Sequence, residues 1–129
     1  MIIWNATLET GNAVVDNDHK VLIKQINLLG DALKAGTAKD QLTAMIAFLN
    51  KCTREHFARE EQIMANVKCP TTGQNCTAHK VLVAKLDGWV SRLNAAGPTT
   101  VLVLEIYKES SEWLRSHIIG IDSHLRKCA

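Results

Sequence analysis

The sequence predicts an all-α protein, an up-down-up-down antiparallel four-helix bundle with an N-terminal extended arm. Glycine and proline number only 7 and 2 in 129 residues, so they leave long segments without a break. Apolar residues in these segments recur at steps of three and four, as on one face of a helix, and no segment alternates like a strand. Amphipathic helices joined by short loops bury their apolar faces best against one another, which favours a bundle.

Length and composition indicate a single domain over residues 1–129. A chain of 14.3 kDa forms one core and is too short for two. The hydrophobic share of 47% and charged share of 22% argue against a disordered chain and a membrane protein. The formal net charge is only +2 and there is no basic run, so we expect no nucleic-acid partner. Because the N-terminus lacks a signal-peptide pattern, we expect a cytoplasmic protein.

Cysteine usage is consistent with that location. The four cysteines, Cys52, Cys69, Cys76 and Cys128, form an even number, which first suggests disulfides. A chain of this size with ordinary apolar content does not need such cross-links, and nothing directs it to an oxidising compartment. We therefore expect four reduced thiols.

The arm and the first helix fill the N-terminal third of the chain. About the first 15 residues are expected to form the arm, packing on the outside of the bundle through Trp4, Leu8 and Val14. The first helix follows, capped by Asp16 or Asn17 and ended by Gly36. Its inward stripe consists of His19, Leu22, Ile26, Leu29 and Leu33.

The second helix is predicted to open at Thr37, with Asp40 placed as in a capping box, and to end near Lys68. Its inward positions are Leu42, Met45, Leu49, Cys52, His56, Glu60, Ile63 and Val67. A loop containing Cys69 and Pro70 leads to the third helix, which Gly97 and Pro98 end. That helix carries Asn75, His79, Leu82, Leu86, Trp89 and Leu93 inward.

The fourth helix is predicted from about Thr99 to Lys127. Its stripe consists of Val103, Ile106, Ser110, Trp113, His117, Ile121 and His124. His124 lies two turns beyond His117, about 10 Å along the axis, and is expected to be a core or surface histidine.

Each of the four inward stripes carries a histidine, and one also carries a carboxylate. These residues are His19, His56, Glu60, His79 and His117. A single buried histidine is usually a hydrogen-bonded core residue. Several imidazoles and an acid in one apolar core are costly unless a metal coordinates them, so their convergence predicts a metal centre.

The ligand types favour a pair of metal ions. Glu60 follows His56 by one helical turn, so both side chains reach one metal region. Asp122 follows His117 by five residues and leans toward the same cavity. Imidazole with carboxylate suits iron or manganese better than structural zinc, and helix bundles hold carboxylate-bridged pairs. A zinc site built from Cys69, Cys76 and His79 would lack a fourth ligand. Cys52 is expected to be a small core residue that could also tune a nearby metal.

These motifs resemble the hemerythrin family, in particular its bacterial branch, the bacteriohemerythrins. The resemblance covers nearly the whole chain and rests on V-D-N-D-H-K at 15–20, H-F-A-R-E-E at 56–61, His79, and W-L-R-S-H-I at 113–118 followed by Asp122. It implies a non-haem di-iron centre with O2 as its ligand, in which Glu60, Asp122 and an oxo or hydroxo group bridge the two irons.

The resemblance also implies the role of each side chain. His19 and His56 would bind the iron that takes O2, and His79 and His117 the other iron. The residues expected to line the O2 pocket are Leu22, Phe57, Trp113, Leu114 and Ile118. The alternative role of this last group is ordinary core packing.

One position departs from the family pattern. Four residues before His79 the family has a further histidine, and this sequence has Asn75. An amide oxygen is a weaker iron ligand than an imidazole, so Asn75 is a doubtful ligand and the second iron is expected to hold water there. Such a site should exchange ligands and oxidise readily, which within the family suits sensory domains of signalling proteins.

The leading functional prediction is therefore an oxygen or redox sensor. Residues 1–129 would signal to an attached effector domain or a partner, with O2 or small anions as ligands and no membrane partner. An oxygen carrier or store is the alternative, and a di-iron enzyme acting on peroxide or NO is a third. We expect no enzyme, apart from weak oxidase-type or peroxidase-type side activity. The sequence leaves open the O2 affinity, the autoxidation rate, the effector and the oligomeric state.

Overall fold

The computed structural model describes residues 2–120, which contain four long helices, a short 3₁₀ helix and no strand. The elements are the 3₁₀ helix Ala6–Leu8 and helices α1 (Ala13–Ala35), α2 (Ala38–Asn66), α3 (Thr72–Ala96) and α4 (Thr100–Gly120). Each long helix packs against its neighbours in the chain, and α1 also packs against α4. This arrangement confirms the predicted four-helix bundle.

Helix α1 begins earlier than the sequence suggested. Its N-cap is Asn12, whose side-chain oxygen accepts hydrogen bonds from the backbone N–H groups of Val14 and Val15 at 3.0 and 3.1 Å. The expected cap at Asp16 or Asn17 is wrong, because Asp16 instead accepts hydrogen bonds from the backbone and hydroxyl of Thr10, both at 2.8 Å. These bonds tie the arm to the first turn of α1.

The arm is shorter than expected and is not extended throughout. It contains the 3₁₀ turn Ala6–Leu8, and Ile2 and Leu8 are buried in a cluster with apolar residues of α1 and α4. The amide of Asn27 holds the backbone of Ile2, accepting from its N–H at 3.0 Å and donating to its carbonyl at 2.8 Å. Val14, expected in the arm, is an exposed residue of α1.

Both ends of α2 differ slightly from the prediction. Thr37 is the N-cap residue but makes no capping hydrogen bond through its side chain, so the expected capping box is absent. The helix ends before Lys68, whose φ of 53° lies in the left-handed region. Of the eight predicted inward residues, Leu42, Leu49, His56 and Glu60 are buried, Met45, Cys52 and Ile63 are half-buried, and Val67 is exposed.

The stripes of α3 and α4 agree closely with the prediction. All six inward residues of α3 are buried: Asn75, His79, Leu82, Leu86, Trp89 and Leu93. On α4, Val103, Ile106, Ser110 and His117 are buried and Trp113 is half-buried. The predicted inward residues Ile121 and His124, and the predicted helix end at Lys127, lie outside the described residues.

The main hydrophobic core fills one half of the bundle, at the end that contains the short α1–α2 and α3–α4 loops. Its fully buried side chains include Leu42, Leu102, Val103 and Ile106. The histidine-bearing positions lie in the other half, so the polar cluster is separated from most of this core. No helix in the described part of the chain has the length and hydropathy needed to cross a membrane.

The cysteines differ from the expectation at one position. Cys69 is disulfide-bonded, so the prediction of a reduced thiol is wrong for this residue. Spacing along the chain does not reveal which sulfur atoms come within bonding distance. Cys52 and Cys76 are free thiols, and Cys128 lies outside the described residues.

Candidate metal centre

Glu60 lies at the centre of a buried cluster of four imidazoles. The rings come from all four long helices: His19 on α1, His56 on α2, His79 on α3 and His117 on α4. All five side chains are buried. The structure therefore brings together every predicted metal ligand that it describes. The sixth, Asp122, lies outside the described residues.

The two carboxylate oxygens of Glu60 face different pairs of histidines. Oε2 lies 3.2 Å from His19 Nε2 and 2.9 Å from His56 Nε2. Oε1 lies 3.3 Å from His79 Nε2 and 3.8 Å from His117 Nε2. Each pair together with Glu60 forms a group of ligand atoms within 4.8 Å of one another, close enough to hold one ion. A carboxylate that faces two such groups is suited to bridge two ions.

Hydrogen bonding alone does not satisfy this cluster. His56 Nε2 and Glu60 Oε1 are buried and have no hydrogen-bond partner within residues 2–120. The Nε2 atoms of His79 and His117 face each other at 3.0 Å, where one of the two must be the donor. Metal ions would use these nitrogen and oxygen lone pairs together, and imidazole with carboxylate suits iron. The residues present therefore fit the implied metal.

The surroundings of Glu60 favour the ionised form of its carboxyl, which is the form that binds metal ions. Burial alone would raise the pKa of its carboxyl. Interactions with the four surrounding imidazoles, that of His117 foremost, outweigh burial and hold this pKa well below its usual range.

Carboxylates also contact the outer nitrogens of two rings. His56 Nδ1 lies 3.0 Å from Asp18 Oδ2, and Arg59 binds both oxygens of Asp18 at 2.8 and 2.9 Å. Burial would raise the pKa of Asp18, but hydrogen bonds from Arg59 and His56 lower it. His79 Nδ1 lies 3.4 Å from Glu61 Oε2. The helical pattern predicts no role for Asp18, Arg59 or Glu61, although each directly adjoins a predicted ligand in the chain.

Aromatic side chains fix the planes of two of the four rings, those of His79 and His117. Phe57 stacks on His79 with ring centroids 3.6 Å apart and an interplanar angle of 4°. Trp113 stacks on His117 at 4.4 Å and 15°. Such stacking limits rotation of the imidazoles and so keeps their nitrogens directed at Glu60.

A small cavity adjoins the cluster on the side of the main core. It has a volume of ≈ 20 Å³, enough for one water-sized or diatomic molecule. Four of the five residues expected to line an O2 pocket lie on its wall: Leu22, Phe57, Trp113 and Leu114. The fifth, Ile118, is fully buried and is not among its lining residues. Thr53 and Ser110 add two hydroxyl groups to the wall, and neither residue was expected there from the sequence pattern.

Asn75 is buried beside the second pair of histidines, one turn before His79 on α3. Its Nδ2 lies 3.0 Å from the sulfur of Met64, and its Oδ1 has no hydrogen-bond partner in the described part of the chain. The alternative zinc site does not form, because Cys69 is in a disulfide and His79 faces Glu60. Cys52 is half-buried, and burial raises the pKa of its thiol.

Comparisons with known proteins agree with this geometry. The family model of the hemerythrin HHE cation binding domain matches residues 10–129. The bacteriohemerythrin of Pseudomonas paraeruginosa is 29% identical over 122 residues, 95% of this chain and 77% of that protein. The hemerythrin of Themiste dyscrita is 29% identical over 123 residues, 95% of this chain and 89% of that protein. The hemerythrin of Phascolopsis gouldii is 23% identical over 120 residues, 93% of this chain and 86% of that protein.

Proposed function

This chain belongs to the hemerythrin family, and from that premise we propose that it is a non-haem di-iron protein that binds O2 as an oxygen or redox sensor. Hemerythrins bind O2 at a pair of irons. One observation supports the proposal for this chain. The two carboxylate oxygens of Glu60 each face a separate pair of histidines.

In the proposed site His19 and His56 would hold one iron and His79 and His117 the other, and Glu60 would offer one carboxylate oxygen to each. Asp122 is proposed as a second bridge on the sequence pattern alone. The iron pair would supply the reversible binding of O2. The protein supplies fixed ligand directions through the stacked rings of Phe57 and Trp113.

Exclusion of water is the second task of the surrounding residues. The cavity beside the cluster exposes far more carbon than oxygen or nitrogen, and its apolar lining includes Leu22 and Leu114. A dry pocket of this size admits a diatomic molecule and disfavours hydrated ions, which slows loss of the bound gas to side reactions with water. We propose that O2 enters the centre from this cavity.

The sensory role rests on Asn75. By the resemblance, its buried amide takes the place of a family histidine, so we infer that the second iron would keep a position open to water or a small anion. An iron with an exchangeable position oxidises more readily than one enclosed by imidazoles, and ready oxidation suits signalling better than storage. The proposed output is a change in helix packing, because the predicted ligands come from all four helices.

Metal analysis and an optical spectrum under O2 test the di-iron proposal. We expect about two irons per chain and a visible absorption band from the oxidised pair, and one zinc with no visible band would contradict it. Hydrogen exchange of the reduced and oxidised protein tests the sensory role. Sensing requires a change in amide protection along at least one helix, whereas identical protection in both states would favour a carrier or store.

A further inference from the structure

Asp18 joins α1 to one of the predicted metal ligands on α2. Its Oδ2 lies 3.0 Å from His56 Nδ1, and the guanidinium of Arg59 binds both of its oxygens, Nε to Oδ2 at 2.9 Å and Nη2 to Oδ1 at 2.8 Å. A two-point contact between arginine and a carboxylate fixes the orientation of the carboxylate as well as its position. The oxygen that meets His56 is therefore held in place from the other side.

The helical positions explain why this contact forms. Asp18 precedes His19 on α1, and Arg59 precedes Glu60 on α2. Residues next to each other in a helix point about 100° apart, so both lie on the flank of the inward stripe rather than at its centre. The two flanks meet where α1 packs on α2, which places the ion pair at the edge of the buried cluster.

The contact decides which nitrogen of His56 faces the metal position. A histidine that donates its Nδ1–H to a carboxylate presents the lone pair of Nε2, and the negative charge makes that nitrogen a stronger donor to a metal. Nε2 is the atom of His56 that lies 2.9 Å from Glu60 Oε2, and it has no hydrogen-bond partner among the described residues. We propose that Asp18, held by Arg59, is a positioning residue that orients His56 toward the iron pair. This inference rests on the proposed function.

The other half of the centre has a weaker counterpart. Glu61 Oε2 lies 3.4 Å from His79 Nδ1, and the Glu61 side chain is 35% exposed, compared with 15% for Asp18. The two metal positions therefore differ in how firmly their ligands are oriented. Asp18 supports the position at which the family resemblance locates O2 binding.

Variants at Asp18 with a surface control test this role. Asp18→Ala removes the acceptor, Asp18→Asn keeps an acceptor without the charge, and Arg59→Lys keeps the charge without the two-point contact. The matched control is Asp87→Asn, which breaks the exposed ion pair between Arg54 and Asp87 that links α2 to α3 away from the cluster. Every protein comprises residues 1–129, and chemical denaturation checks that each one folds.

Two measurements report on His56 without relying on O2 binding. The first is competition of each anaerobic Fe²⁺-loaded protein with a chelator. We expect Asp18→Ala to weaken one of the two ions about 10- to 100-fold and Asp18→Asn to weaken it less, with Asp87→Asn unchanged. The second is a long-range ¹H–¹⁵N spectrum of the Zn²⁺-loaded protein, in which the His56 Nδ1–H signal should be present in the wild type and lost in Asp18→Ala.

The outcomes separate this inference from the proposed function. If the wild type binds two ions but Asp18→Ala matches Asp87→Asn in both measurements, the positioning role is wrong and the di-iron proposal stands. A lower folding stability with an unchanged Nδ1–H signal and unchanged iron affinity would show a purely structural ion pair. A wild type that fails to bind two ions would overturn both.

Discussion

The side-chain amide of Asn75 lies against the thioether of Met64, with Nδ2 3.0 Å from the sulfur. Asn75 precedes His79 by one turn of α3, and Met64 follows Glu60 by one turn of α2, so the contact lies beside the second proposed metal position. Sulfur is a weak acceptor, and Asn75 Oδ1 has no hydrogen-bond partner among residues 2–120. A buried amide left in this state is costly unless a bound water or ion completes its contacts.

Replacing Asn75 with His should add an imidazole to the second iron. We expect slower autoxidation of the O2-loaded protein and weaker azide binding, because an occupied position excludes external ligands. Stopped-flow oxidation rates and azide titrations measure both effects. Met64→Leu is the control, since it changes the neighbour of the amide but adds no ligand. Equal lifetimes of the O2-loaded form and equal azide affinities in wild type and Asn75→His would show that having Asn75 in place of a histidine does not alter the function of the site.

Glu60→Ala should lose both ions, because each oxygen of Glu60 faces a different pair of histidines. His19→Ala, which removes a ligand from only one pair, should retain the ion held by His79 and His117. Metal content after gel filtration distinguishes the two variants. Retention of two irons by Glu60→Ala would exclude a bridging role.

Acid should destabilise the metal-free protein through Glu60. Its pKa in the folded chain lies below the ordinary value of 4.5, so the stability it contributes is complete above that pH and falls as the pH drops below it. In that range the unfolded chain takes up a proton on Glu60 that the folded chain does not. Urea unfolding of the wild type and Glu60→Gln at pH 6 and pH 4 should show a smaller loss in the variant. Parallel losses would assign the acid sensitivity to other groups.

Gly30 permits the close packing of α1 on α4. A Cβ atom at Gly30 would lie 2.7 Å from Cε1 of the Tyr107 ring, whereas one at Gly88 on α3 would meet nothing within 4 Å. In Gly30→Ala the clash with Tyr107 should outweigh the gain in helix propensity. The net effect should be a free energy of unfolding lower by about 1 kcal/mol. Gly88→Ala should raise it by about 0.5 to 1 kcal/mol. Denaturant titrations compare them, and equal effects would mean that Tyr107 moves aside without cost.

The bundle and the convergence of the ligands could be predicted because both depend on helical periodicity. A residue every third or fourth position faces the partners of its helix whatever those partners are, and all six residues of the α3 stripe are buried as predicted. The same rule brought His19, His56, Glu60, His79 and His117 to one place. Whether they hold iron stays a prediction.

The features that the sequence did not reveal depend on the relation between elements. The ion pair of Asp18 and Arg59 requires a particular axial offset between α1 and α2. The periodicity of either helix does not determine this offset. The disulfide of Cys69 likewise depends on tertiary distance. The missed cap at Asn12 has a different cause. Asn12, Asp16 and Asn17 are all of residue types that are preferred at the N-cap, so residue type alone does not choose among them.

The distribution of the ligands over the helices has a consequence for the order of assembly. His19, His56 and Glu60 belong to α1 and α2, which only two residues connect, so closing one helical hairpin brings all three together. Glu60, His79 and His117 come from α2, α3 and α4, so their meeting requires two further helices to dock. We expect a nascent chain to form its first ion-binding position at the hairpin stage. The second has to wait for the last helix.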